Sequence, residues 1–414
     1  MSHIPRIQDF DDAGYDPFVS DEAAFGTTAD PYPQLAEWLK QAPVHAMDYR
    51  VAMGLYPDVT MLGLPSYLVL GYEAVEKIFL APQTYSNTIY ARNLGIAFGQ
   101  SVSTMDAPEH PRFRKIFQKA FLPNQVAKWG ETLVDPVVDT LMDQFAGRGK
   151  ADLVQAFTHH YPFQIIYKQL GLPPQDVTTF HKLAIAQTVV VYDVPHGTEA
   201  SHKLGLYFKH LLEERRSHPG SDLVSALAQA EVDGEQLPED ILISFLRQLV
   251  NAGGDTTYRG TSILLTGLLN NPDQLAAVRQ DRSLIPQAID EALRWDGPVL
   301  IATRTPTVDT ELCGVKLPAG ACLSVASGSA NRDPSRYPDP DRFDIFRERK
   351  HRHFAFAFGP HVCIGQHLAR VEMTRALNAI LDRLPNLRLD PDMPPPKVQG
   401  TMMRVPKHIH VCFD

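Results

Sequence analysis

The sequence predicts a mainly α-helical fold with a small β-rich region. Three observations carry that expectation. Residues 128–230 read as helices whose breaks are Gly/Pro clusters: Gly147-Arg148-Gly149, Gly171-Leu172-Pro173-Pro174 and Val194-Pro195-His196-Gly197. A long helix is expected over residues 239–269. Short strands bounded by Gly and Pro are confined to residues 66–71, 311–315 and 322–325.

Composition bounds the rest. The 414 residues are 44% hydrophobic and 21% charged, which describes a globular chain with a large core. Length alone permits two or three domains. No internal repeat or low-complexity linker marks a boundary, so we expect an N-terminal lead-in over residues 1–29 and a single domain over 30–414. The net charge of −9 argues against a nucleic-acid partner, which calls for a basic footprint. The four cysteines, Cys313, Cys322, Cys363 and Cys412, form no Cys-x-x-Cys pair, and sparse cysteine suits a reducing compartment. The first ten residues carry no apolar signal segment, and no run of about 18 apolar residues occurs. A cytoplasmic protein without a membrane partner is expected.

The elements follow in order. The lead-in is acidic and reads as surface. Asp30-Pro31-Tyr32-Pro33 opens a helix, with proline in the first turn. Residues 66–71 form a strand stopped by glycine, and 72–79 a short helix. Residues 83–103 have mixed polarity and read as a long, partly mobile loop. The next helix starts near Asp106. At 100° per residue, His110, Arg114, Phe117 and Phe121 share one face, while Arg112, Lys115 and Lys119 lie opposite. Turning an arginine and a histidine inward is costly unless an anion meets them.

Within the long helix, Asn251-Ala252-Gly253-Gly254-Asp255-Thr256-Thr257 places two glycines together. Each costs a helix interior about 1 kcal/mol relative to alanine. Either the helix packs tightly there, or it opens where a ligand approaches its backbone. Further on, Glu291 and Arg294 stand at i and i+3 on one helix face.

The stretch around which the chain is organised is His353-Phe354-Ala355-Phe356-Ala357-Phe358-Gly359-Pro360-His361-Val362-Cys363-Ile364-Gly365. A helical run follows it. A cysteine just before a helix N-terminus is set up to be a thiolate, since unpaired N–H groups and the helix dipole favour negative charge. That makes Cys363 a candidate metal ligand or nucleophile. The alternative is a buried free thiol acting as a small hydrophobe.

Phe356-x-x-Gly359-x-His361-x-Cys363-x-Gly365 resembles the haem-ligand loop of the cytochrome P450 family. Other stretches resemble the same family in family order: His110-x-x-x-Arg114, Ala252-Gly253-x-Asp255-Thr256-Thr257, Glu291-x-x-Arg294, and the meander at Asp339-Pro340-Asp341-Arg342-Phe343-Asp344. One departure is Ala357, where bacterial members often carry glycine. The resemblance implies the P450 fold and haem b (iron protoporphyrin IX), with Cys363 as the axial thiolate and metal ligand. It implies that His110, Arg114, Arg304 and His361 meet the haem propionates, with Gly253 and Phe356 beside the cofactor. Thr256 and Asp255 would be the alcohol–acid pair that handles protons beside bound oxygen. Glu291 and Arg294 would form a buried ion network with an arginine from the meander, for which Arg347 is the candidate.

The resemblance therefore implies a haem-thiolate monooxygenase. It would insert one atom of O₂ into a small-to-medium, largely apolar organic substrate, by hydroxylation or oxidative dealkylation. Electrons would come from a separate ferredoxin with its NAD(P)H reductase, and the protein would be a monomer. The basic face of Arg112, Lys115 and Lys119 suits an acidic partner. Two other readings stand beside this one: a peroxide-driven peroxygenase, which the retained Asp255-Thr256 pair argues against, and a non-catalytic haem sensor. Zinc binding by His351/His353 or His159/His160 lacks the four ligands of a structural site. Residues 299–302 are expected to line the pocket, with Gln248 and Asn251 as polar anchors. Arg92 is expected in solvent.

Overall fold

The computed structural model describes residues 5–25, 30–232 and 234–414. The long helix expected over 239–269 is two helices, Glu239–Ala252 and Asp255–Leu269, interrupted at the glycine pair. In the second, every residue except Thr256 is buried. That helix is the axis of the molecule. It packs against Ile285–Trp295 and Gln366–Arg383, through Ile263, Leu268, Ile289, Leu293, Leu377 and Ile380. Each such side chain stabilises by about 1.5–3 kcal/mol when fully buried.

The first half, Glu239–Ala252, belongs to a second core cluster. There Phe245 stacks on Phe117 of Glu109–Ala120, with ring centroids 3.7 Å apart. The expected faces of Glu109–Ala120 are present: His110, Phe113 and Phe117 are buried, while Arg112, Lys115 and Lys119 are exposed. Two helices, Val177–Thr188 and Val194–Ser217, lie across this cluster.

The β-rich side is small. Its main sheet has five strands in the order Val44–His45, Ser66–Val69, Cys322–Val325, Ala302–Pro306 and Tyr85–Ser86. Only Ser66–Val69 with Cys322–Val325 is a parallel pair. The strand expected over 311–315 is instead a hairpin of Thr310–Leu312 and Val315–Leu317. Cys313 and Gly314 turn the chain with φ of 50° and 79°, the conformation of a two-residue hairpin loop.

Two expectations are corrected. Residues 83–103 are not a loose loop. They contain Tyr85–Ser86, a 3-10 turn Thr88–Arg92 and a helix Leu94–Phe98. Their order comes from distant polar partners: Asp106 accepts from Ser86 and from the Asn87 N–H, and Gln187 and Ser201 donate to the Ala97 carbonyl.

The lead-in, within the described residues, is not a surface tail either. Ile7 and Phe10 are buried in the second cluster. Lys182 and Lys203, from the two crossing helices, bond Asp9 (2.9 Å) and Asp11 (2.7 Å). Tyr15 stacks on His196 at 3.7 Å. The acidic composition hid this role, because its carboxylates are partners of those lysines. Phe10→Ala is expected to cost about 3 kcal/mol and to raise amide exchange across 177–217. Denaturant unfolding with hydrogen exchange checks both.

Candidate functional site

A cavity of about 280 Å³ separates the helix interruption from the cysteine loop. Leu249, Ala252, Gly253 and Thr256 form one wall. Phe356, Cys363, Ile364 and Gly365 form the facing one, and Phe121, Ile166, Leu293, Val299 and Ala302 close the sides. The two glycines divide the work. A Cβ on Gly254 would overlap the Phe163 ring, so this glycine serves helix packing, whereas Gly253 lines the cavity. The backbone tightens there: the Gly254 N–H bonds the Asn251 carbonyl at 3.2 Å, three residues back. The Thr256 hydroxyl donates to the Ala252 carbonyl at 3.0 Å, on the cavity side of the interruption.

The cysteine loop is held by its own backbone. The Cys363 N–H donates to the Phe356 carbonyl at 2.8 Å, and the Ala357 N–H to the Phe354 carbonyl at 2.8 Å. Gly359 has φ of 73°, and a Cβ there would strike the Phe79 carbonyl oxygen. Cys363 is exposed to the cavity, with protein packed around it on its other sides. Burial pushes its thiol up from the ordinary value, against the pull of the Gly365 N–H, Arg114 and the Gln366 N–H. In the free thiol, desolvation opposes the pull of the helix N-terminus. Metal coordination would supply the missing drive, because a coordinating thiol is deprotonated outright.

Ala357 departs from the motif at a position that matters. Its φ is 55°, which costs an L-residue roughly 1–2 kcal/mol, against about 0.5–1 kcal/mol for the extra freedom glycine loses on folding. Ala357→Gly is therefore expected to stabilise the protein by about 0.5–1 kcal/mol, measured by denaturant unfolding.

The inward-facing polar groups gather beside this loop. His110 and His361 lie ring to ring, 3.9 Å apart. Burial first, then His361 and Arg114, hold His110 down to about 4. Its Nε2 is buried with no hydrogen-bond partner. Arg114 reaches the Val362 carbonyl, next to the cysteine. Arg304 is buried, donates to the Thr303 carbonyl at 2.7 Å and lies over Phe79. Among the described residues no carboxylate stands within ion-pair distance of it. His361 bonds Asp106 at 3.2 Å. Sequence reasoning missed Asp106; its only signal was its place four residues before His110.

Asp255 is not on the cavity wall. Neighbouring helix residues point about 100° apart, so a helix that turns Thr256 to the cavity turns Asp255 away. Arg259 holds both carboxylate oxygens at 3.0 Å and also bonds Asp21 at 3.2 Å. Asp255 lines a separate cleft of about 330 Å³ with Asp21, His159 and Arg259.

Gln248 and Asn251 are likewise not pocket anchors. Gln248 donates to Ser103 at 2.7 Å, and Asn251 to the Ala184 carbonyl at 2.9 Å. They tie the helix to the elements above it. Arg92 is exposed, and Val299 and Ala302 do line the cavity. Glu291, Arg294 and Arg347 form the expected network, at 2.8 Å for Arg294 and 3.3 Å for Arg347. Of the two histidine pairs, His159 is half-buried with its ring against Tyr258, and His353 faces Asp290. A second missed group is Glu372, nine residues beyond Cys363. Its buried carboxyl lines the cavity, and burial raises it well above the ordinary range.

These residues fit a haem. The cavity is flanked by a cysteine, by glycines that leave room for a flat group, by an orphaned imidazole nitrogen and by a buried guanidinium lacking a carboxylate. The fold and site together fit the class of haem-binding proteins. Residues 198–413 match the family model described as Cytochrome P450. The P450 monooxygenase PikC of Streptomyces venezuelae is 34% identical over 90% of this chain and 89% of its own. The vitamin D3 dihydroxylase of Streptomyces griseolus is 34% identical over 88% and 91%. The structure of CYP109E1 from Bacillus megaterium with testosterone superposes with a TM-score of 0.82 and 26% identity, over 93% of this chain and 98% of that one.

The chain belongs to the cytochrome P450 family. It is a P450 monooxygenase, an oxidoreductase of the haem-iron type that uses O₂, an organic substrate and a redox partner. No helix among the described residues is long and apolar enough to cross a membrane.

Proposed function

We propose that the protein binds haem b through Cys363 and inserts one oxygen atom from O₂ into a largely apolar organic molecule, by hydroxylation or oxidative dealkylation. The single observation that carries this is that Cys363 and Thr256 face one apolar cavity from opposite walls. Bound haem iron supplies the oxygen activation, with the thiolate donating electron density that favours O–O cleavage.

The protein's own groups do the rest. N–H groups of Gly365 and Gln366 moderate the charge on the Cys363 sulfur. His110, Arg114, Arg304 and His361 are the partners for two propionates, with Asp106 fixing the His361 ring. Gly253 and Phe356, which line the same cavity, would lie beside the cofactor. Apolar side chains exclude water and admit an apolar substrate. The vitamin D3 and testosterone named for two similar proteins support that class.

Thr256 Oγ1 holds a proton or an ordered water at the cavity, and the Asp255 carboxylate passes protons inward from the outer cleft. Electrons arrive from a ferredoxin served by an NAD(P)H reductase, which docks on the exposed Arg112, Lys115 and Lys119 through steering that salt weakens. The protein works as a cytoplasmic monomer. The test is turnover with labelled O₂, ferredoxin and reductase on a panel of apolar substrates chosen by haem-band shift. One labelled oxygen atom per product is expected; oxygen drawn from water or peroxide instead refutes the reading.

A further inference from the structure

We propose that Asp152, His408 and His410 form a site for a divalent transition metal, with Zn²⁺ as the matching cation. The three residues come from opposite ends of the chain. Strand Lys150–Asp152 pairs antiparallel with His410–Cys412, and the register sets Asp152 directly opposite His410. His408 stands two residues before His410 and so projects to the same side, because side chains alternate along an extended chain.

The result is convergence. One ligand atom from each side chain lies within 4.8 Å of the others, and among the described residues this is the group of three that meets that condition. The two imidazole rings are nearly parallel, 14° apart, with centroids at 5.3 Å. His408 Nδ1 lies 2.7 Å from one Asp152 carboxylate oxygen, and the other oxygen accepts the Ile409 N–H at 3.0 Å. The carboxylate is thereby oriented before any ion arrives, as metal-ligating carboxylates commonly are.

A hydrogen bond between His408 and Asp152 would suffice for a plain surface pair. The second imidazole, with a ring nitrogen converging on the other two ligand atoms, is what a surface pair does not need and a chelate does. The donor set chooses the cation. Two imidazoles with one carboxylate suit Zn²⁺ and its late first-row neighbours, leaving a coordination position for water. Ca²⁺ and Mg²⁺ call for more oxygen ligands than this corner offers.

Occupation of the site would clip the C-terminal strand to a strand about 250 residues earlier. His408 also lines the rim of the cleft that holds Asp255 and Arg259, so the cation would sit at that cleft's edge. Neither binding nor clipping depends on the haem reading.

The test uses the full-length, haem-loaded protein without an added histidine tag. ZnCl₂ is titrated by calorimetry into the wild type, His408→Ala, His410→Ala and the exposed control His202→Ala. One equivalent per chain is expected, weakened at least ~10-fold in His408→Ala and in His410→Ala, unchanged in His202→Ala, and not displaced by MgCl₂. Zn²⁺ should also raise the thermal midpoint of the wild type and not of His408→Ala. Substoichiometric binding, or equal affinity in all four proteins, overturns the site. A wild-type midpoint that does not move with saturating Zn²⁺ overturns the clip.

Discussion

Replacing Glu291 by alanine is expected to cost about 3–5 kcal/mol, enough to release the cofactor from much of the protein. The Glu291 carboxylate is 5% exposed. It accepts from Arg294 Nε and Nη2 at 2.8 Å, from the Asp344 N–H at 2.9 Å and from Arg347 Nε at 3.3 Å. Arg294 in turn donates to the carbonyls of Asn331 and Pro340, and Arg347 to those of Asp339 and Arg342. The meander between 338 and 347 is thus wrapped around two guanidiniums that one carboxylate neutralises. Removing that carboxylate strands the buried Arg294 and leaves the half-buried Arg347 without its carboxylate, whereas removing the exposed Glu37 breaks only a surface pair with Lys40, worth about 0–1 kcal/mol. Urea unfolding of the haem-loaded protein, followed by haem absorbance and by circular dichroism, measures the difference. A loss below about 1 kcal/mol for Glu291→Ala would show that the network does not hold the loop.

Thr256→Ala is expected to separate reductant use from product. The Thr256 hydroxyl is a polar group that the interrupted helix offers to the cavity opposite Cys363, and it donates to the Ala252 carbonyl. A positioned proton donor contributes about 10²–10⁴-fold to a step that needs it. Without it, protons reach the site by water, and reducing equivalents end as peroxide or water. Product per NAD(P)H should fall at least ~10-fold, while reductant consumption continues. Thr256→Ser, which keeps the hydroxyl, should retain most of the coupling. Unchanged coupling in Thr256→Ala would remove the proton role from this residue. Asp255→Asn should slow turnover without producing peroxide to the same degree, because Asp255 lies in the outer cleft behind an ion pair with Arg259.

Much of the frame is legible from local sequence. The Gly253-Gly254 interruption, the inward face of His110 and Arg114 and the Glu291/Arg294 pair all follow from helical spacing, and the structure forms each of them. What is not legible is set by partners far along the chain. Residues 83–103 owe their order to Asp106, Gln187 and Ser201. The acidic lead-in gains its place from Lys182 and Lys203. Asp296 and Arg404, 108 residues apart, make a buried bidentate pair with both bonds at 2.7 Å, and no spacing rule joins them. Asn251 reads as a pocket anchor because its helix passes the cavity, yet its amide is already satisfied by Ala184. At Cys363, sequence shows the helix start that favours a thiolate but not the desolvation that opposes it.

The central claim is that Cys363 ligates the iron through sulfur. Adding carbon monoxide to the dithionite-reduced protein tests it most directly, through the difference spectrum. The wild type is expected to give the long-wavelength Soret band of thiolate ligation, and Cys363→His the shorter-wavelength band of imidazole ligation. A wild-type spectrum of the imidazole type, or one that Cys363→His leaves unchanged, would contradict the assignment.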